Sequence, residues 1–66
     1  MEFKDRVIYL RAKLNLTQKQ LGELMEVSLV TINRWENGKV LPTKKDQIRF
    51  DYLCKSYNVL IAEVEE

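Results

Sequence analysis

The 66-residue chain contains no histidine, one cysteine, one proline and two glycines. Its single cysteine, Cys54, excludes an internal disulfide and fits a reducing compartment such as the cytoplasm. No apolar run approaches the roughly 20 residues of a membrane helix, and no signal peptide is recognisable. There is also no metal-ligand cluster, Gly-rich phosphate loop or nucleophile–base pair. The sequence therefore predicts neither an enzyme nor a metal or cofactor site.

The net charge is only +1, but it is unevenly distributed along the chain. Residues 1–45 carry nine Lys and Arg against five acidic residues, whereas residues 46–66 carry two against five. The basic half suits an anionic partner such as nucleic acid, because the field at a contact face matters more than the total charge. A chance asymmetry in a small domain is the alternative interpretation.

Two helix start signals follow each other closely in the middle of the chain. Thr17 and Gln20 have the spacing of a capping box, which predicts a helix over residues 18–25. Ser28 is a second N-cap, and Gly38 is suited to the left-handed conformation that ends a helix, so a second helix is predicted over 29–37. Two short helices separated by a tight turn form a helix-turn-helix.

The predicted helix over 29–37 has two different faces. One face carries Ile32, Trp35 and Glu36, at positions i, i+3 and i+4. This face is predicted to pack on the core, because Ile32 and Trp35 are large and apolar. The opposite face carries Val30, Asn33, Arg34 and Asn37, flanked by Leu29 and Thr31. In the preceding helix, Gly22 suggests a close approach between segments, since glycine costs roughly 1 kcal/mol relative to alanine in a helix.

The remaining segments are also predicted to be helical. Residues 4–14 show helical spacing of apolar residues, with Arg11 as the exception in the apolar stripe. Since an unpaired buried charge is costly, we expect Arg11 to pair with Glu36, unless each reaches solvent separately. Thr43 caps a long helix that ends near Tyr57 and carries a stripe of Phe50, Leu53, Cys54 and Tyr57. A short fifth helix is predicted over 60–64.

The motif Leu-Thr-Gln-x-x-Leu-Gly … Val-Ser-x-x-Thr-Ile-x-x-Trp-Glu-Asn-Gly-Lys, followed by Pro42, resembles one family closely. It is similar to the Cro/phage-repressor type, or XRE-like, helix-turn-helix regulators of bacteria and phages. The resemblance covers about residues 5–64 and is strongest over 16–42. It implies an all-α, compact five-helix domain of the phage-repressor DNA-binding type, occupying residues 1–66 as a single domain.

The resemblance also assigns roles by position. It implies that Leu29, Val30, Asn33 and Arg34 face base edges in the DNA major groove. It implies phosphate contacts for Gln18, Asn37 and Lys39, with Gln18 also bracing the recognition helix. Charge adds Lys19 and Lys44 as further candidates. Arg11 and Glu36 match a pair that forms a structural salt bridge in relatives. For each exposed lysine, a solvated surface position is the alternative.

Two departures from the family pattern bear on these roles. Glu26 stands at a turn position usually held by glycine, where a left-handed residue with a Cβ costs about 1–2 kcal/mol. Either the turn tolerates glutamate or its geometry differs. Leu29 and Val30 replace polar residues at the base-reading end, where they can touch thymine methyl groups. Alternatively, Leu29 packs partly into the core and Val30 lies near a sugar.

The predicted function is sequence-specific binding of double-stranded DNA by a small cytoplasmic transcriptional repressor. A homodimer on a palindromic operator is expected, with half-sites about 10–10.5 bp apart. The apolar C-terminal residues suit either its dimer interface or the core of the domain: Val59, Leu60, Ile61 and Val64. The alternative function is a protein-interaction or antitoxin-like module with little DNA readout, because fold alone does not fix function.

Overall fold

The computed structural model describes residues 2–59 and contains four α-helices in that range. They are α1 (Phe3–Leu14), α2 (Gln18–Met25), α3 (Leu29–Glu36) and α4 (Lys44–Ser56). These bounds lie within one residue of the predicted ones. The all-helical prediction is therefore confirmed for this part of the chain, whereas the predicted fifth helix over 60–64 lies outside the described residues.

Side-chain caps begin three of the helices. The hydroxyl of Thr17 accepts from the Gln20 backbone N–H at 3.0 Å, and the Gln20 side chain accepts from the Thr17 N–H at 2.9 Å. The hydroxyls of Ser28 and Thr43 each accept from an N–H three residues later, at 3.1 Å. The predicted capping box and both other caps are thus present, and they satisfy N–H groups that have no partner inside a helix.

Left-handed residues end the first two helices and follow the last two. Asn15 and Asn58 have φ of 57° and Gly38 has φ of 71°, as expected for residue types that tolerate this region. The fourth left-handed residue is Glu26, at φ 61°. The glutamate therefore adopts the conformation that glycine adopts more easily, and the turn keeps the left-handed geometry.

All four helices contribute to one core. The buried apolar residues are Val7, Leu10, Leu21, Met25, Ile32, Trp35, Phe50, Leu53, Cys54 and Val59. Phe3 joins two of them with edge-to-face contacts, its ring centroid lying 5.3 Å from that of Trp35 and 5.1 Å from that of Phe50. These contacts connect the start of α1 to α3 and to the middle of α4.

Two predicted positions differ from the structure. The core stripe predicted for α4 includes Tyr57, but this residue is 47% exposed because it is the C-cap, where the helical spacing no longer applies. Val59 lies in the core, so it does not form a free dimer surface, and Leu60, Ile61 and Val64 lie outside the described residues. No helix within residues 2–59 is long and apolar enough to span a membrane.

Candidate nucleic-acid interface

The turn between α2 and α3 brings the two helices into close contact. A Cβ added to Gly22 would lie 2.7 Å from the carbonyl oxygen of Val27, a distance that real side chains do not adopt. Gly22 therefore makes room for the backbone that leads into α3, rather than for a second helix axis. Arg49 of α4 reaches the same turn, with Nη1 3.5 Å from Oε2 of Glu26.

Helix α3 is held by one face and open on the other. Ile32 is 0% exposed and Trp35 is 2% exposed, whereas Leu29 is 47% and Val30 is 55% exposed. The exposed residues Leu29, Val30, Asn33, Arg34 and Asn37 form what is called here the α3 surface. Because about half of Leu29 is exposed, this residue is partly packed and partly open to solvent.

A polar network fixes the C-terminal end of α3 to α1 and α2. Arg11 donates from Nε to Oε2 of Glu36 at 2.7 Å and from Nη2 to Oε1 at 3.0 Å, a bidentate pair. Gln18 Nε2 also donates to Glu36 Oε1, at 3.0 Å, and Arg11 Nη1 donates to the Leu16 carbonyl oxygen at 3.1 Å. One carboxylate thereby joins three helices and orients Gln18 at the start of α2.

The network shifts the pKa of both charged groups. Burial of the Glu36 carboxyl opposes its ionisation, but hydrogen bonds from Arg11 and Gln18 and the Arg11 charge outweigh burial and lower its pKa. The hydrogen bond to Glu36 raises the pKa of Arg11 despite its partial desolvation. Glu36 is therefore ionised and Arg11 protonated at neutral pH, as a stable ion pair requires.

The sites suggested for phosphate contact fall into two groups. Gln18 borders the network, Asn37 caps α3, and Lys39 follows it with its backbone N–H bonded to the Arg34 carbonyl oxygen at 3.0 Å. Lys19 is exposed on α2 and Lys44 is the first residue of α4. Within residues 2–59, no hydrogen bond or ion pair connects Lys19 or Lys44 to the α3 surface.

Lys4 lies beside the C-terminal end of α3, and the spacing of residues in the sequence does not predict this position. Its side-chain Cδ would be 3.2 Å from a Cβ added to Gly38. Lys4 also approaches Asp5, with Nζ 3.9 Å from Oδ1. Lys4 and Gly38 are more than 30 positions apart in the sequence, and no motif links them. The position of Lys4 near the end of α3 therefore follows only from the packing of α1 against α3.

Comparison with known proteins places this arrangement in a family. A family model described as helix-turn-helix matches residues 7–46. The HTH-type transcriptional activator BcrR of Enterococcus faecalis is 38% identical over 64 residues, which cover 97% of this chain and 30% of BcrR. The chain belongs to the XRE-like helix-turn-helix family. The family resemblance predicted from the central motif is thereby confirmed.

A second similarity shows that this XRE-like helix-turn-helix domain also resembles part of a larger protein. The type II methyltransferase M.MspI of Moraxella sp is 44% identical over 54 residues, which cover 67% of this chain and 13% of the enzyme. The chain thus spans less than a third of the length of either curated relative. No solved structure matches the chain.

Proposed function

We propose that the chain is a sequence-specific double-stranded DNA-binding module of a transcriptional regulator, and that it inserts α3 into the major groove. The observation that carries this proposal is the division of α3 into a buried face, with Ile32 at 0% and Trp35 at 2% exposure, and an open face. A helix held in this way presents side chains to base edges without giving up its packing. The regulator BcrR supports the proposal by its similarity.

Arg34 is the proposed principal base-reading residue. The residue is exposed, and the planar fork of its guanidinium can donate to guanine O6 and N7 together, which is worth about 1–3 kcal/mol of discrimination. Asn33 is a second base contact, and the exposed methyl groups of Leu29 and Val30 suit thymine C5-methyl groups. These four residues make up the proposed specificity surface.

Phosphate contacts are proposed for residues around that surface. Asn37 and Lys39 lie at the end of α3, and Gln18 lies at the start of α2, where N–H groups without helical partners favour an anion. Lys19 and Lys44 are proposed as further phosphate contacts because both are exposed cations. Contacts of this kind set register and salt dependence rather than sequence preference.

We further propose that two copies bind a palindromic operator and that binding represses transcription. A single module of this size contacts few bases, so two half-sites about 10–10.5 bp apart provide the required affinity. Repression needs only occupancy of the operator, which blocks polymerase without a further protein contact. An in vitro transcription assay on a template bearing the selected site measures this directly, and increased transcript would contradict the repressor role.

The test of DNA recognition compares Arg34→Ala with Lys39→Ala. Binding to the preferred site and to random duplex is measured by mobility shift at several salt concentrations. Arg34→Ala is expected to weaken binding to the preferred site by about 1–3 kcal/mol and to relax choice at one base position. Lys39→Ala is expected to weaken binding to all sequences alike and to lower the salt slope by about 1.

Either of two outcomes would contradict this assignment. If Arg34→Ala behaves like Lys39→Ala, Arg34 contacts phosphate and not a base. If the wild-type domain shows no binding to any duplex at low salt, the alternative role as a protein-interaction module is favoured. Circular dichroism of each variant keeps a folding defect from being read as lost recognition.

A further inference from the structure

Two asparagine side chains on the α3 surface are joined by a hydrogen bond. Asn37 Nδ2 donates to Asn33 Oδ1 at 3.0 Å, across one helical turn. The backbone N–H of Asn37 also bonds to the Asn33 carbonyl oxygen at 3.0 Å, which keeps the two residues in register. The bond directs the side-chain oxygen of Asn33 toward Asn37 and leaves the Asn33 amino group to donate elsewhere.

This arrangement matters because asparagine uses both ends of its amide to recognise adenine. Its amino group donates to adenine N7, while its oxygen accepts from the N6 amino group. An oxygen directed along the helix toward Asn37 is turned away from that second contact. The Asn33 amino group remains suited to an acceptor, such as O6 or N7 of guanine, O4 of thymine or N7 of adenine, so only the paired contact that favours adenine is lost.

Several acceptors on the neighbouring residues of α3 are already engaged in hydrogen bonds. The Glu36 carboxylate is occupied by Arg11 and Gln18, and the Ser28 and Thr31 hydroxyl oxygens lie 3.1 Å apart in a hydrogen bond with each other. Arg34 can only donate. The part of the surface built from Arg34 and Asn33 therefore offers donors to the bases.

We propose that Asn37 determines base preference indirectly, by holding Asn33 as a donor, so that Asn33 lacks the two-bond preference for adenine and accepts guanine or thymine equally well. This inference rests on the proposed function, because it concerns which base the α3 surface prefers. Asn37 is thus a positioning residue for base recognition, in addition to its proposed phosphate contact. A role at phosphate alone would leave the relative preference among bases unchanged.

The experiment selects bound sites from a random duplex pool with four proteins: wild type, Asn37→Ala, Asn33→Ala and the double variant. Wild type is expected to disfavour cytosine, which offers only a donor, and to show no preference for adenine over guanine at the position that Asn33 contacts. Asn37→Ala frees the Asn33 oxygen, so the ratio of adenine to guanine at that one position rises by about tenfold, the size of one bidentate contact. Asn33→Ala and the double variant both lose preference there.

Lys39→Ala is the matched control, since it removes a cation next to Asn37 without touching the asparagine pair. It is expected to give the wild-type motif at lower affinity. If wild type enriches no motif, the proposed function itself fails. If wild type enriches a motif that Asn37→Ala leaves unchanged, or if the two asparagine variants alter different positions, only the inference about Asn37 is overturned. Both asparagine side chains are exposed, and circular dichroism checks that the variants are folded.

Discussion

At the scale of single residues, four positions between residues 2 and 59 adopt the left-handed backbone conformation, and one of them is a glutamate. Asn15, Asn58 and Gly38 adopt positive φ, and each is of a type that does so at low cost. Glu26 adopts φ 61° with a full side chain, in the turn that positions α3. Its carboxylate gains a contact with Arg49, but the pair is largely exposed and is worth at most about 1 kcal/mol. Glu26 is therefore a strained position.

Glu26→Gly is expected to stabilise the domain by about 1 kcal/mol. Glycine removes the cost of about 1–2 kcal/mol that a side chain incurs in the left-handed conformation. Two smaller effects oppose this gain, namely the loss of the weak contact with Arg49 and the greater conformational entropy of the unfolded chain. The free energy of unfolding from urea denaturation measures the change. The control is Glu23→Gly, which lies inside α2 and is expected to destabilise by about 1 kcal/mol. Equal destabilisation by both substitutions would refute the strain at Glu26.

At the scale of helices, one carboxylate governs how α1, α2 and α3 meet. Glu36 is 8% exposed in its side chain and Arg11 is 28% exposed, so the pair lies between a surface and a buried salt bridge. Its contribution is therefore expected to lie between the roughly 0–1 kcal/mol of an exposed pair and the 3–5 kcal/mol lost when a buried pair is broken. Glu36 also orients Gln18, because it accepts a hydrogen bond from the Gln18 side-chain amide.

The Glu36 network predicts a specific pH dependence of stability. Because the folded-state pKa of Glu36 is lowered, its contribution is full above the unfolded value of about 4.3 and is lost as the pH falls through the folded-state value. Wild type is expected to exceed Glu36→Gln in unfolding free energy at pH 7, and the difference is expected to shrink toward pH 3. Urea denaturation at several pH values measures both proteins.

The control for this titration is Glu23→Gln, which changes an exposed carboxylate on α2 and is expected to alter stability little at any pH. A difference between wild type and Glu36→Gln that stays constant from pH 7 to pH 3 would mean that the ion pair does not stabilise the folded state. Arg11 stays protonated throughout this range, because its pKa is raised.

At the scale of the whole molecule, the small size of the domain makes its few large side chains decisive. At 0.05–0.15 kcal/mol per residue, a chain of this length is stable by only about 3–10 kcal/mol. Trp35 packs edge-to-face against Phe3 and anchors α3 in the shared core. The proposed recognition surface and the stability of the fold therefore depend on the same helix.

Trp35→Ala is expected to lose about 3–5 kcal/mol, enough to unfold much of the population at 37 °C. Thermal melting followed by circular dichroism measures the change. Leu41→Ala serves as the control, since Leu41 is 83% exposed and its removal leaves no cavity. A nearly normal melting temperature for Trp35→Ala would mean that α3 is not anchored by this face.

The sequence by itself determined the helices, their caps, the two faces of α3 and the family, because these features depend on residues a few positions apart. Capping boxes and helical spacing are local, and the Arg11–Glu36 pair was predictable since both charges interrupt apolar stripes. Only the tertiary structure decided the rest. Lys4 approaches Gly38 and Arg49 approaches Glu26 because separate helices pack around one core. Contacts between distant segments leave no spacing in the sequence, and so packing alone assigned these neighbours.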